Sequence, residues 1–172
     1  QHISWSMAKS VLSAMFGRAM EEGYIDSIEQ TVTEYVPELK GSGYDEVRIK
    51  DVLQMSSGVR FNEDYGDFHS DINRFGRTIA FGSSLDDFSA SLERQRPPGT
   101  FNHYVSIDTQ VLGMVLDRAL DMSLTEYLNT RFWQPMGMEH DAFWLTDDFG
   151  MELALGGLNV TLRDYAKFGW LF

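Results

Sequence analysis

The strongest constraint on the fold is an apolar spacing typical of helices that recurs along most of the chain. After Ser6, apolar side chains follow at intervals of three or four residues, and the pattern stops at Gly23, a residue type common just beyond a helix end. The same spacing predicts further helices at residues 49–55, 71–81, 85–94, 111–119 and 124–132. Residues 24–47 read as connecting structure. Convincing strands are fewer than helices, so the sequence predicts a mainly helical protein.

Composition and charge narrow the possible functions. With 172 residues, of which 43% are hydrophobic, the chain can form one core and reads as one domain. Its 26 acidic and 14 basic residues give a net charge of −12, which argues against nucleic acid or an anionic membrane surface as a partner. The absence of cysteine excludes disulfides and thiol catalysis. No apolar run reaches the length of a membrane span, and the sequence leaves localisation and oligomeric state open.

Both ends of the sequence predict a partial domain. The chain has no initiator methionine and no signal peptide pattern, and residues 165–172 finish in apolar side chains without a helix cap or a polar tail. We therefore expect residues 1–172 to form a single domain that is truncated at both ends, as an internal portion of a longer protein.

Ser6 and Lys9 form a Ser-x-x-Lys motif at the start of the first predicted helix. Serine becomes a useful nucleophile only when its proton is taken, and a lysine three residues later on a helix projects its amine over the serine hydroxyl. The motif is short enough to occur by chance, so an ordinary helix start with a solvated lysine is the alternative.

A second candidate catalytic group is Tyr104. The paired prolines at 97–98 forbid helix and predict a rigid turn just before it. If the next residues are extended, Tyr104 and Ser106 point to the same side. A phenol near a lysine ammonium has its ionised form favoured, so Tyr104 could take a proton from the nucleophile and return it to the leaving group. A half-buried core tyrosine is the structural alternative.

Tyr127 competes with Tyr104 for this role, because Tyr127-Leu128-Asn129 is a Tyr-x-Asn motif. This motif is more common than the Tyr-x-Ser sequence that begins at Tyr104. These residues lie inside a predicted helix, where Tyr127 and Asn129 point about 200° apart and cannot converge on one site. We therefore interpret Tyr127 as structural.

Other chemistries find little support in the sequence. The four histidines, which are His2, His69, His103 and His140, lack metal-binding spacing, and no cofactor motif is present. A Gly-x-Ser-x-Gly nucleophile elbow is also absent. Pairs of acidic residues at 63–64, 86–87 and 147–148 read as solvated loop or cap residues rather than as glycosidase carboxylates.

Taken in order, several segments resemble the class C β-lactamase-related serine hydrolases. The first four are Ser4-Trp5-Ser6-Met7-Ala8-Lys9-Ser10, residues 47–59 with Met-Ser-Ser-Gly, Pro97-Pro98-Gly99-Thr100 with Tyr104, and Gln134-Pro135-Met136-Gly137-Met138. Residues 62–65 and 106–113 most resemble the branch containing the 6-aminohexanoate-dimer hydrolases and related esterases. The order and spacing agree over nearly the whole chain, which makes the resemblance far more specific than any single motif.

This resemblance implies both a fold and a set of roles. The fold would be the helical portion of the α+β β-lactamase/transpeptidase-like fold, with most of the antiparallel sheet missing. Ser6 would be acylated and its N–H would be an oxyanion donor, while Lys9 and Tyr104 would move protons. The substrate would be a small-molecule amide or ester, without a cofactor. The candidate substrate-binding residues are Tyr65, Ser106, Gly156, Gly157 and Asn159.

The substrate-binding residues also have structural interpretations. Tyr65 could be a loop tyrosine packed on Phe61 or Phe68, and the two glycines at 156–157 could be a turn.

Alternative functions are a β-lactamase, a D-alanyl-D-alanine carboxypeptidase, or a non-catalytic penicillin-binding-type sensor module. Ser106 stands where β-lactamases have asparagine, which argues against antibiotic hydrolysis, and a sensor would not need Ser6, Lys9 and Tyr104 together.

The family's late strand, with its Lys-Thr-Gly or His-x-Gly motif, does not follow Gly157. That strand carries the second oxyanion donor, so we expect residues 1–172 alone to be inactive. The same absence predicts that the apolar face of the first helix is partly exposed, and this face consists of Val11, Leu12, Met15 and Phe16.

Overall fold

The structure, a computed structural model, describes all residues from 1 to 172 and is mainly helical, as the apolar spacing predicts. The helices are α1 (Met7–Glu21), α2 (Val32–Tyr35), α3 (Ile49–Leu53), α4 (Asp71–Ala80), α5 (Leu85–Ala90), α6 (Ser106–Ala119), α7 (Leu124–Leu128) and α8 (Leu162–Gly169). The strands are β1 (His2–Ile3), β2 (Phe143–Trp144) and β3 (Leu158–Val160). None of the helices combines the length and the apolar character that crossing a bilayer requires.

The structure differs from the predicted pattern at several places, among them the start of α6 at Ser106 instead of residue 111 and the additional helix α8. Residues 24–47, expected to be connecting structure, contain α2 and a single 3-10 turn at Pro37–Leu39. Residues 85–94 are helical only as far as the end of α5. Their last residues instead pair with another segment, where Val59 lies opposite Arg94 in an antiparallel bridge. The antiparallel pairing of Arg94 with Val59 therefore ends the helix before residue 94, although the apolar spacing favours a helix up to that point.

Helix α6 lies at the centre of the fold. Every residue from Ser106 to Leu116 is buried, so the helix has no solvent-exposed face along most of its length. A carboxyl group inside it is bound by hydroxyl donors from outside the helix, because Tyr44 and Ser57 donate to Asp108 at 2.8 and 2.7 Å. Burial raises the pKa of Asp108 to about 7, since the charged form is poorly solvated there.

The apolar face of α1 is buried, so the prediction of a partly exposed face is wrong. Val11, Leu12, Met15 and Phe16 are all inside the core. Helix α6 packs against α1 and covers this face, which the sequence predicts to be open because a sheet is missing. Full burial of each such side chain stabilises a fold by about 1.5–3 kcal/mol, so this face is a main attachment of α1 to the protein.

A small antiparallel sheet fixes the chain just before α1. Its strand order is β1-β3-β2, with Ile3 and Phe143 both opposite Asn159. Directly after β1, the N–H of Ser4 donates to the carbonyl of Leu158 at 2.7 Å. The start of α1 is therefore held by β3 on one side and by the core on the other.

Candidate active site

Ser6 lies on a sharp turn between the sheet and α1. Trp5, immediately before it, has φ of +45°, in the left-handed region that a residue with a bulky side chain rarely adopts. Such strain costs on the order of 1–3 kcal/mol and is common at functional sites. Gly156 lies close to this turn, where an added Cβ would be 3.4 Å from the Cα of Trp5. The turn leaves Ser6 exposed at the helix start.

Lys9 lies one turn along α1 and reaches back to the serine. Its Nζ donates to the Oγ of Ser6 at 3.0 Å and to the carbonyl oxygen of Leu155 at 2.8 Å. Residues three apart on a helix are neighbours, so the first contact follows from the helix itself. The second depends on the segment that leads into β3, and it fixes the direction of the lysine side chain.

Helix α6 places that Leu155 carbonyl. The side chain of Gln110 donates to the carbonyl of Glu152 at 2.9 Å and accepts the N–H of Ala154 at 2.9 Å. An added Cβ on Gly113 would lie 2.6 Å from the Cβ of Ala154, so the segment packs directly on the helix. The position of Lys9 therefore depends on the buried core.

Tyr104 comes to the same point from a different part of the chain. Its hydroxyl lies 2.8 Å from the Oγ of Ser6. The preceding loop is anchored by backbone bonds, because Gly99 N–H donates to Ser56 at 2.8 Å and His103 N–H donates to Met55 at 2.8 Å. These two backbone hydrogen bonds hold the turn that the paired prolines predict to be rigid.

Electrostatics favour ionisation of Tyr104. Partial burial alone would raise its pKa, but the hydrogen bond with Ser6 and the positive charge of Lys9 act in the opposite direction. The outcome is a pKa below the usual value of 10.0 for tyrosine. The Nζ of Lys9 also lies 5.5 Å from the centre of the Tyr104 ring. The arrangement therefore suits a phenol that exchanges protons with a serine.

Tyr127, the competing tyrosine, lies away from this cluster. It is buried in α7, and its hydroxyl donates to Glu22 at 3.0 Å. Burial raises its pKa and the neighbouring carboxylate raises it further, so ionisation is disfavoured. This position supports the structural interpretation of Tyr127.

The residues that line the cavity over Ser6 include three of the five predicted substrate-binding positions. The cavity has a volume of about 330 Å³ and is lined by Trp5, Ser6, Lys9, Tyr65, Ser106, Leu155 and Gly156. Gly157 and Asn159 are not among them. Gly157 packs against Leu153, where an added Cβ would approach the Leu153 Cβ within 2.7 Å. Asn159 donates its side-chain amide to the carbonyl of Gly157 at 2.9 Å. Both therefore support the loop beside the cavity.

Glu63 is the clearest residue that sequence reasoning missed. The sequence predicts only a solvated loop or cap residue, and the carboxylate does cap a helix: it accepts the Ser106 N–H at 2.8 Å, the Ser106 hydroxyl, and the Tyr65 hydroxyl at 3.2 Å. It thus caps α6 from outside that helix, at the cavity wall. No local signal indicates this contact, because the sequence predicts the helix only from residue 111, and the unsatisfied N–H groups that favour a carboxylate at Ser106 appear only in the structure.

The backbone of Ser6 offers one oxyanion donor. Its N–H donates to no acceptor in the chain, so it is free to bind a substrate oxygen. The N–H groups of Gly156 and Gly157 are both used by the carbonyl of Leu153, at 3.2 and 2.8 Å. Of these three amides, only the Ser6 N–H has no acceptor in the chain.

The described residues bring no three His, Asp or Glu side chains together in a way that could hold a metal ion. His140 contacts a single carboxylate, since its Nδ1 lies 3.3 Å from the Oδ2 of Asp164.

Comparison with known proteins gives a consistent set of relatives. The sequence profile of the β-lactamase family matches residues 2–171. A 6-aminohexanoate-dimer hydrolase from Paenarthrobacter ureafaciens is 34% identical over 98% of this chain and 44% of its own length. A putative D-alanyl-D-alanine carboxypeptidase from Salmonella agona is 26% identical over 71% of this chain and 29% of its own length.

Among solved structures, a putative 6-aminohexanoate-dimer hydrolase from Bacillus anthracis superposes with a TM-score of 0.85 at 27% identity. The superposition covers 99% of this chain and 47% of that one. The chain therefore spans about half the length of the two 6-aminohexanoate-dimer hydrolases that it matches.

Proposed function

Because the chain belongs to the β-lactamase family, whose β-lactamase/transpeptidase-like fold it shares, we propose that it carries the catalytic serine of an amide or ester hydrolase that works through a covalent acyl-Ser6 intermediate. The observation that carries this proposal is the convergence on one oxygen. The Oγ of Ser6 lies 2.8 Å from the Tyr104 hydroxyl and 3.0 Å from the Lys9 ammonium. A nucleophile with a base and a cation at hydrogen-bonding distance is the arrangement that serine acylation needs.

Tyr104 acts as the base in the acylation step. Lys9 donates to the Ser6 oxygen, and its positive charge contributes to the lowered pKa of Tyr104, which favours the phenolate. The phenolate takes the proton of Ser6 as the Oγ attacks the carbonyl carbon. The oxyanion that develops accepts the Ser6 N–H. When the bond to the leaving group breaks, the leaving nitrogen or oxygen takes the proton from Tyr104, and the acyl group remains on Ser6.

Deacylation repeats these proton transfers with water. Water gives a proton to the Tyr104 phenolate and its oxygen attacks the acyl carbon. The ester bond to Ser6 then breaks, the Ser6 Oγ recovers the proton from Tyr104, and the free acid leaves. The positive charge of Lys9 stabilises the phenolate, and the Leu155 carbonyl keeps the lysine side chain oriented.

The relatives and Ser106 support an order of candidate substrates. The similarity to a 6-aminohexanoate-dimer hydrolase, at 34% identity, supports a linear amide or ester as the first candidate. The carboxypeptidase of Salmonella agona, at 26% identity, favours a D-alanyl-D-alanine peptide as the second candidate. Ser106 lacks the amide group that asparagine offers in β-lactamases, which places β-lactams last.

A substrate comparison tests this order in the intact protein. We expect kcat/KM for a p-nitrophenyl ester and a linear acyl p-nitroanilide to exceed that for nitrocefin by about tenfold or more, because one lost polar contact alone costs up to roughly that factor. A D-alanyl-D-alanine peptide assayed alongside distinguishes the second candidate. Preferential turnover of nitrocefin would contradict the proposal.

The pH dependence tests the role of Tyr104. If its phenolate is required, kcat/KM rises with pH as the tyrosine loses its proton and levels off above its pKa. The neighbouring Lys9 charge lowers that pKa, so we expect the midpoint of the rise below the ordinary value of 10.0. The measurement is kcat/KM for a neutral ester between pH 6 and 10.5, corrected for spontaneous hydrolysis. A midpoint at or above 10, or no rise, would exclude Tyr104 as the base.

A further inference from the structure

One wall of the cavity over Ser6 is formed by two hydroxyl groups that share a single carboxylate. Tyr65 donates to the Oε1 of Glu63 at 3.2 Å, and the hydroxyl of Ser106 donates to the same oxygen. The other oxygen of Glu63 accepts the Ser106 N–H at 2.8 Å. Tyr65 and Ser106 both line the cavity together with Ser6 and Lys9. The wall therefore has hydroxyl groups whose protons are directed away from the substrate.

The position of the Ser106 proton follows from the chemistry of its partner. A serine hydroxyl has one proton and can accept through two lone pairs. A carboxylate is a stronger hydrogen-bond acceptor than a phenol or a water, so the Ser106 hydroxyl donates its hydrogen bond to Glu63. The lone pairs of Ser106 are then left for the cavity. Asparagine would offer both a donor and an acceptor, whereas Ser106 held by Glu63 offers an acceptor alone.

Glu63 itself is firmly oriented. Ser106 is the first residue of α6, where backbone N–H groups lack intrahelical partners and favour a negative charge. The loop that carries Glu63 is tied to α4, because the side chain of Asn73 donates to the carbonyls of Tyr65 and Asp67 at 3.1 and 2.8 Å. The carboxylate therefore has little freedom to release Ser106.

Resting on the serine hydrolase mechanism proposed above, we infer that Ser106 binds the N–H of a secondary amide leaving group, and that Glu63 is the positioning residue that keeps Ser106 an acceptor. The leaving nitrogen must turn its lone pair toward Tyr104 to receive a proton as the C–N bond breaks. Its own N–H must then point elsewhere, and an acceptor there stabilises that orientation. Ser106 is two residues from Tyr104, across an extended Val105, and so lies on the same side of the backbone.

This inference names a substrate class. Secondary amides have the N–H that Ser106 accepts, whereas esters and N-methylated amides do not. A site built to receive a hydrogen bond discriminates against an analogue that lacks the donor. The enzyme should therefore prefer secondary amides more strongly than their intrinsic reactivity predicts.

The experiment measures a ratio of kcat/KM values in the intact protein. Three substrates share one acyl group: a p-nitroanilide, its N-methyl derivative and the p-nitrophenyl ester. They are compared in the wild type, Ser106→Ala, Glu63→Gln and the double variant. In Glu63→Gln one amide oxygen replaces two carboxylate oxygens, and the Ser106 N–H binds it. The glutamine NH₂ then donates to Ser106, which turns the serine proton into the cavity.

We expect the anilide-to-ester ratio to fall about tenfold in Ser106→Ala, and at least as far in Glu63→Gln, where the serine becomes a donor. The penalty for N-methylation should shrink in both. The double variant should match Ser106→Ala, because Glu63 acts through Ser106. Asp64→Asn is the matched control, since it removes one negative charge from the residue adjacent to Glu63. The asparagine oxygen can still accept the Gly66 N–H. Its ratio should stay within about twofold of wild type.

Ser6→Ala in the same assay separates this inference from the proposed function. If hydrolysis depends on Ser6 but the ratios in Ser106→Ala and Glu63→Gln equal the wild-type ratio, the acceptor role is wrong and the hydrolase proposal stands. If hydrolysis survives in Ser6→Ala, both are wrong. Should Glu63→Gln fail to fold, the anilide-to-ester ratio of Ser106→Ala gives the decision, because loss of the acceptor lowers this ratio whereas relief of crowding does not. If Ser106 only crowds the substrate, Ser106→Ala should reduce the penalty for N-methylation while Glu63→Gln keeps the wild-type anilide-to-ester ratio. That result would also overturn the inference.

Discussion

Replacing Ser6 with alanine is expected to lower kcat/KM for both ester and amide substrates by about 10⁴-fold or more, because no other group can form the covalent intermediate. Stability should hardly change, since Ser6 is exposed and its hydroxyl makes no capping hydrogen bond to the α1 backbone. The measurement is steady-state hydrolysis of a p-nitrophenyl ester together with thermal unfolding of each protein.

Ser10→Ala is the matched control for this variant. Ser10 is an exposed serine on α1, one turn beyond Ser6, and its side chain makes no hydrogen bond to Ser6, Lys9 or Tyr104. We expect it to keep wild-type activity. A Ser6→Ala protein that folds normally and retains more than about one hundredth of the wild-type rate would show that the acyl group is not carried by Ser6.

Tyr104→Phe is expected to lower kcat by about 10²-fold or more, because general acid and base catalysis contributes roughly 10²–10⁴-fold. The ring and its contacts remain, and the phenol is half exposed, so stability should be nearly unchanged. Tyr127→Phe serves as the comparison. It removes a hydrogen bond to Glu22, which should cost about 1 kcal/mol of unfolding free energy without affecting turnover.

The two tyrosine variants therefore separate catalysis from stability. Both proteins are assayed for kcat on one ester and unfolded in urea under the same conditions. The proton-transfer role would be wrong if Tyr104→Phe kept wild-type turnover. It would also be wrong if Tyr127→Phe lost activity while the Tyr104 variant did not.

Much of the fold could be predicted because it follows from local patterns. Apolar spacing predicts α1, α3, α4, α5 and α6, since each of these helices buries one face or all faces in the core. The exposure of α1 was mispredicted because the sequence does not show that α6 would cover it. Strands of two or three residues, such as β1 and β3, are too short to show an alternating pattern.

The site divides in the same way. Ser6, Lys9 and Tyr104 could be proposed from motifs, and the structure brings their polar atoms together. Glu63 could not, because its contact with Ser106 joins residues 43 positions apart, and nothing in the local sequence indicates it. The left-handed backbone conformation of Trp5 could not be predicted either, because no local sequence pattern indicates it.

The most direct test of the central claim is covalent labelling with a fluorophosphonate probe. The intact protein is incubated with the probe, its mass is measured, and the modified peptide is sequenced by tandem mass spectrometry. The proposal predicts one adduct per chain on Ser6, formed more slowly in Tyr104→Phe and absent in Ser6→Ala. Labelling at another serine, or undiminished labelling in Ser6→Ala, would contradict it.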